Sequence, residues 1–389
     1  MRRVVPLLAA TGISVSGDGA FIAAAPLLAA ALTRDPVAVS TVTAAFYVPW
    51  LIAGLPAGAL VDRWNRRRVM VIADLVRAGA LAALAALVVT GWVPLPLLVT
   101  TVLIVGVAQC FFDSAAQAVI PAAVGRDKDA LAHVNGRFWA LDTIGRSLLG
   151  PPLGSGTFAL ARVLPFALDS LSFVISAVLV RMLPAVPAKN GPHESIGSAI
   201  RSGLRHLLHT RELLVLSLGL GAFNAAFNIV MATFVLYTSE VLRLPDAAYG
   251  LLLAATALGG VAASWQARRL TRRLSYRQTL SLAILVNAMV WGGIVLTANV
   301  WVTAALLALQ GAAAAMSSVA VGSARQALTP DDLLGRVVSA FRLFGVGAAA
   351  LGALLGGGLA HTFGLHAPFI AAMSLLFVST VLTWPSDRH

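Results

Sequence analysis

The strongest constraint on this chain is a repeated pattern. Apolar runs of about 20 residues or more, enough to cross a bilayer as helices, alternate with turns of a few residues that hold much of the charge. Of the 389 residues, 59% are hydrophobic and only 11% charged. A soluble domain carries about 25% charged residues, so this chain lacks the polar surface to cover a water-facing core. The pattern predicts a polytopic membrane protein. The spans fall near 4–31, 37–61, 69–90, 95–120, 135–158 and 163–183, then 212–237, 247–267, 277–298, 300–327, 336–360 and 366–384.

The net charge of +12 would suggest nucleic-acid binding in a soluble protein. Here the cations sit in short turns, where they hold loops on the cytoplasmic side, and no nucleic-acid partner is expected. Arg2, Arg3, the turn at 62–68, Arg126, Lys128, the linker, the cluster from Arg268 to Arg277 and Arg388 all fall on one side. The opposite loops hold only Arg34, Arg162 and Arg243 as basic residues. This asymmetry places both termini in the cytoplasm and the protein in the plasma (inner) membrane. The first apolar run is too long for a signal peptide's core and is expected to remain as a helix. The single cysteine, Cys110, excludes an intrachain disulfide.

The two halves echo each other. Leu149-Gly-Pro-Pro-Leu-Gly-Ser-Gly156 aligns with Leu351-Gly-Ala-Leu-Leu-Gly-Gly-Gly358, and Pro165-Phe166 with Pro368-Phe369. Gly54 to Arg68 has a worn copy in Gly259 to Arg273. Repeats of this size predict an all-α membrane fold: twelve transmembrane helices in two pseudo-symmetric six-helix bundles around a midplane site. The expected parts are an N-terminal bundle (1–183), a cytoplasmic linker (184–211) and a C-terminal bundle (212–389). From Ser195 the linker reads as an amphipathic helix, expected to lie on the inner membrane surface.

One stretch links this architecture to a known family. Gly58-x-x-x-Asp62-Arg63-x-Asn65-Arg66-Arg67-Arg68, with Gly54 one turn earlier, resembles the loop signature of the major facilitator superfamily. The chain resembles most the branch of macrolide-efflux proteins and the enterobactin exporter. Asn65 stands where the family has Gly. Asn tolerates a left-handed turn better than most residues, so the departure from the family pattern is mild. The resemblance assigns Gly54, Gly58, Asp62, Arg63, Arg66 and Arg67 to a cytoplasmic gate. The copy at 259–273 keeps arginines but loses the Asp, so Asp62 is expected to latch one bundle to the other near the eleventh span.

Family antiporters also carry a glycine-proline signature in the fifth span. Gly136, Gly145, Gly150, Pro151 and Gly154 form a near match. The glycines allow close helix approach, and the prolines remove backbone donors. The Arg that many proton-coupled relatives place in the fourth span is absent from Leu95–Ile120.

No metal-ligand spacing, P-loop or nucleophile elbow is present, so no enzyme, metal or cofactor is expected. Ionisable groups inside spans are the functional candidates. Asp18, near the middle of the first span, and Asp113 in the fourth are the proton-coupling candidates. An alternative for Asp18 is a hydrogen bond to a helix broken at Gly17 and Gly19. Asp142 and Arg146, four apart on one helix, read as an ion pair near the inner gate, and Asp74 with Arg77 as a structural pair. Asp169 reads as an outer-gate or interfacial group. Trp50, Trp139, Asn224, Asn228, Asn287 and Gln310 are the candidates for an apolar cavity with few polar anchors.

These features predict a secondary transporter, monomeric, whose partners are a small-molecule substrate, protons and the lipid bilayer. The leading expectation is proton-coupled export of an amphiphilic drug, macrolide or siderophore by alternating access. The alternatives are a facilitator or importer of a lysolipid or small metabolite, and a non-transporting receptor or assembly factor.

Overall fold

A computed structural model describes residues 5–124, 128–183, 196–271, 274–330 and 333–384. Among them every regular element is helical and no strand occurs. The first span is α1 (Val5–Leu32). The second is three helices in tandem, α2 (Pro36–Ala45), α3 (Val48–Ile52) and α4 (Gly54–Arg63). Next come α5 (Arg66–Thr90) and α6 (Leu95–Val124). The fifth span joins α7 (Lys128–Asp142), a π-helical turn (Thr143–Leu149) and α8 (Gly150–Leu160), and α9 (Leu164–Arg181) is the sixth. After α10 (Ile196–His209) come α11 (Arg211–Leu236), continued by a π-helical turn (Tyr237–Val241), then α12 (Asp246–Thr271), α13 (Tyr276–Val295), α14 (Val300–Leu328), α15 (Leu334–Phe363) and α16 (Ala367–Thr383). Nine of the described helices are long and apolar enough to cross a bilayer, while α2 and α16 are shorter apolar helices.

Local chemistry sets the helix ends. Asp35 accepts from the Val37 amide at 3.1 Å, and Pro36 opens α2 at a position whose amide would have no partner anyway. Ser275 and Gln278 exchange bonds in a capping box at the start of α13. Asn65, where the family pattern has Gly, has a φ of −68° and its side chain accepts from the Arg68 amide, so it caps α5. An N-cap needs an extended backbone and a short acceptor, which Asn supplies and Gly does not.

The described residues group into two compact units. The first comprises Met1–Thr33, Val48–His193 and Leu244–Ala254; the second comprises Arg34–Tyr47, Glu194–Arg243 and Ala255–His389. The grouping departs from the expected bundle boundaries, which followed chain order. Residues 34–47 pack in the second unit and 244–254 in the first.

In the first unit α1 packs on α8 and α9, and α5 on α6 and α9. In the second, α11 packs on α15 and α16, and α13 on α14 and α16. These are the same neighbour relations, so the sequence echo is a structural repeat. The close contacts repeat too. A Cβ on Gly154 of α8 would collide with the Ala20 carbonyl of α1, and one on Gly356 of α15 with the Ile229 carbonyl of α11. Glycine lets the paired backbones touch, which is how helices gain packing where water provides no driving force.

Residues 184–195 of the linker lie outside the description. Within it α10 packs on α15 and α11. Leu207 is fully buried and Arg336 donates to Ser202 at 3.1 Å, whereas Leu208 is 49% exposed.

Gly154→Val should lower the melting temperature and the membrane abundance, because overpacking costs about 1–3 kcal/mol. Gly156→Val on the same helix, where a side chain would meet open space, should change neither. Thermal melting of the detergent-purified variants checks the pair.

Candidate functional site

The candidate site in the first unit is built outward from Arg77 of α5, which is fully buried. Its guanidinium donates to the Asp74 carboxylate one turn away and to the side-chain oxygen of Gln109 on α6. The rings of Phe112 and Phe173 lie over it, with centroids 4.6 and 4.0 Å from its central carbon. Nη1 stands 3.8 Å from Asp18 Oδ1 on α1. Two branches leave this hub. Along one, Ser176 Oγ of α9 donates to Asp74 Oδ2 at 2.7 Å, and Gln109 Nε2 donates to Asp113 Oδ1 at 2.8 Å. Along the other, Arg146 Nη2 lies 3.3 Å from Asp18 Oδ2, and Arg146 Nε donates to Asp142 Oδ1 at 3.3 Å.

Two glycines make the convergence possible. A Cβ on Gly17 would overlap the Asp169 carboxylate, and one on Gly19 would strike the Arg146 backbone at 2.9 Å or closer. Asp18 is therefore flanked by two sites of close approach, one for α9 and one for the fifth span. The helix is continuous through Gly17 and Gly19, so the reading in which Asp18 caps a broken helix is not what forms. Arg146 sits in the π-helical turn, where the Gly150 amide bonds the Gly145 carbonyl five residues back. Pro151 and Pro152 cannot donate to the carbonyls before them, and π turns concentrate at functional sites.

The network is graded in exposure. Asp74 and Arg77 side chains are 0% exposed and Asp18 6%, whereas Arg146 and Asp142 are 28% and 24% exposed. Its far end can meet water and its hub cannot. Asp18 Oδ2 and Asp169 Oδ2 are buried without a hydrogen-bond partner. Asp169 is 1% exposed and takes a bond from Ser172 Oγ at 2.9 Å, which makes it a core residue rather than an interfacial one.

Several candidates land together and others do not. Asp18, Asp113, Asp142 and Arg146 share one site, and Asp74 and Arg77 belong to it as well. The α6 carboxylate Asp113 has no Arg in its own span, but Gln109, which accepts from Arg77 of α5, donates to it. Of the glycine-proline residues, Gly145, Gly150 and Gly154 lie against α1, Pro151 is buried, and Gly136 faces open space. In the gate stretch Asp62 pairs with Arg66 at 3.5 Å, and Arg67 donates to the Leu183 carbonyl at 2.9 Å. Gly54 lies 3.7 Å from the Trp50 ring, a side chain at Gly58 would meet nothing, and Arg63 ends α4. The side chains of 265–273, the gate's repeat, lie outside the description.

The expected cavity residues divide. Asn224 and Asn228 of α11 line a cavity of about 480 Å³ in the second unit, with Tyr47, Phe227, Arg325, Phe341 and Arg342. Asn287 and Gln310 are buried but do not line it. Trp139 is 53% exposed against Phe138, and Trp50 belongs to the first unit. Tyr47 and the two arginines were not singled out in advance. Only the cations carried a signal, as charges inside apolar spans.

Helices of spanning length, repeated in two units around buried charge, define an integral membrane transporter. Residues 6–387 match the family described as transmembrane secretion effector, and the chain belongs to this family of the major facilitator superfamily. The multidrug efflux pump Tap of Mycolicibacterium fortuitum is 27% identical over 377 residues, covering 94% of this chain and 91% of Tap. Tap of Mycobacterium tuberculosis (strain ATCC 25618 / H37Rv) is 27% identical over 385 residues, covering 97% and 91%. Among solved structures, a mutant of the nucleoside transporter NupG superposes with a TM-score of 0.80 at 12% identity, covering 97% of each chain. A bacterial homologue of the iron transporter ferroportin gives 0.75 at 20% identity over 98% of each. Its family and relatives are transporters, not enzymes, and a small molecule is its substrate.

Arg77→Met should be the most destabilising single change in the network, because it leaves buried carboxylates uncompensated at a cost of about 3–5 kcal/mol. Adding Asp74→Asn should recover part of the loss. The melting temperatures of the single and double variants in detergent check this; a double variant less stable than Arg77→Met would contradict it.

Proposed function

We propose that the protein is a proton-coupled exporter of amphiphilic small molecules that works by alternating access. The observation that carries this reading is the charge imbalance of the buried network. Five carboxylates, Asp18, Asp74, Asp113, Asp142 and Asp169, face two guanidiniums, Arg77 and Arg146. Buried negative charge in excess of its partners is costly, and binding protons relieves it. Asp18 and Asp113 are the groups assigned to take a proton from outside and release it inside. Arg146, paired with both Asp18 and Asp142, connects them to the more exposed end. Each proton entering down a 100 mV potential supplies about 2.3 kcal/mol. The Tap relatives are multidrug efflux pumps, which supports drug-like substrates and the outward direction. The protein is assigned as a monomer with both termini cytoplasmic.

The facilitator reading rests on the missing Arg of the fourth span. The Gln109 bridge from Arg77 of α5 to Asp113 weakens that ground.

In everted membrane vesicles, adding an exported drug should dissipate an imposed pH gradient with the wild type. With Asp18→Asn the response should fall by about tenfold or more, at unchanged protein abundance. Drug accumulation that persists after the gradient is collapsed would rule the mechanism out. A panel of drugs tested for resistance in cells expressing each form identifies which compounds to use.

A further inference from the structure

We propose that Asp169 of α9 holds a proton in this structure, donates it to Ser172, and serves as a third coupling acid beside Asp18 and Asp113. The coupling role rests on the exporter reading; the proton on Asp169 does not.

The first ground is a count of hydrogens. Ser172 Oγ lies 2.8 Å from the Asp169 backbone carbonyl and 2.9 Å from Asp169 Oδ1. A serine hydroxyl has one hydrogen to donate and two lone pairs that accept. With Asp169 ionised, the carbonyl and the carboxylate compete for that single hydrogen, since neither can donate. With a proton on Oδ1, both bonds are made. Ser172 then donates back to the carbonyl three residues earlier, a common habit of serine in helices, and Asp169 donates to Ser172.

The second ground is what surrounds the acid. Asp169 is 1% exposed, and its Oδ2 is buried without a hydrogen-bond partner. A buried ionised carboxylate needs a cation or a full set of donors; the bare oxygen of a neutral acid costs far less. The helices packed against α9 are α1, α5 and α8. α8 has no ionisable residue, and α1 has only Asp18, a second acid. α5 brings Asp74 and Arg77, with Arg66, Arg67 and Arg68 in its first turn, and α9 itself has Arg181 in its last turn. Arg77 is paired with Asp74 and Asp18, and Arg146 with Asp18 and Asp142. Among the described residues neither guanidinium forms an ion pair with Asp169.

The third ground is position. A Cβ on Gly17 would overlap Asp169 Oδ1 and stand 2.7 Å from Ser172 Oγ. The α1 backbone therefore covers the Asp169–Ser172 pair, one residue before Asp18. Moving α1 off α9 at this point lets water reach the acid and take its proton; closing the contact calls for a proton again. Occupancy of Asp169 is thereby tied to the helix that carries Asp18.

Infrared difference spectra of the detergent-purified protein read the proton directly. A protonated carboxylic acid has a C=O stretch apart from the amide and carboxylate bands, and the band moves in D2O. The wild type at neutral pH should show such a band, which Asp169→Asn removes and Asp18→Asn keeps. Ser172→Ala should move it to higher wavenumber, because the acid loses its acceptor; this covers the case where the Asn variant fails to fold. A band that survives Asp169→Asn, or one that ignores Ser172→Ala where no folded Asn variant is obtained, overturns the proton on Asp169. For the coupling role, drug-driven dissipation of a pH gradient in everted vesicles should be lost in Asp169→Asn and partly recovered in Asp169→Glu, at equal abundance. Full dissipation by Asp169→Asn, or none by either variant, overturns that role. A wild type that dissipates no gradient removes the exporter reading instead, and the spectrum still decides whether Asp169 holds a proton.

Discussion

The enclosure of Arg77 is the interaction on which the first unit depends. A guanidinium cannot shed its charge, so a fully buried one must be surrounded by groups that replace water. Asp74, Gln109, Asp18 and the faces of Phe112 and Phe173 do so from four helices, α1, α5, α6 and α9. Each of those helices is held in rotation by the need to present its polar group inward. Apolar packing alone could not impose this, since lipid and protein interior are equally apolar. The buried charge serves specificity of arrangement as much as stability.

The same network shows why a transporter keeps polar groups in so costly a place. Its hub is closed to water and its Arg146–Asp142 end is partly open. Contacts of 3.3 to 3.8 Å join one end to the other. Glycines at 17, 19 and 154 bring backbones close enough for short side chains to meet across helices. The second unit repeats the helix pairing but not the charges, and its cavity carries arginines instead. Duplication supplied the scaffold, and the two copies hold different chemistry.

Much of the site was legible as pairs and little of it as a whole. Asp74 with Arg77, Gln109 with Asp113, and Asp142 with Arg146 are each three or four residues apart, and helical geometry alone puts such partners together. Their meeting at Asp18 was not legible, because it depends on how four helices are rotated. The fourth span showed the limit. It holds no Arg of its own, yet Gln109 links Asp113 to Arg77 of α5, and a search confined to one span cannot see that link. Asn65 was legible only as a mild departure from the family's Gly, and its role as the N-cap of α5 appears in the structure.

The sequence by itself determined the membrane class, the number and order of spans, the internal repeat and the family. All of these follow from hydrophobicity summed over long windows and from motifs in turns, which local residues specify. Only the tertiary structure decided which carboxylates share a site, which arginines line the second-unit cavity, and that residues 34–47 and 244–254 leave the units of their chain neighbours. The physical reason is helix phase. In a span that is apolar on every side, periodicity carries no rotational signal, and the few polar residues reveal their direction only once packed.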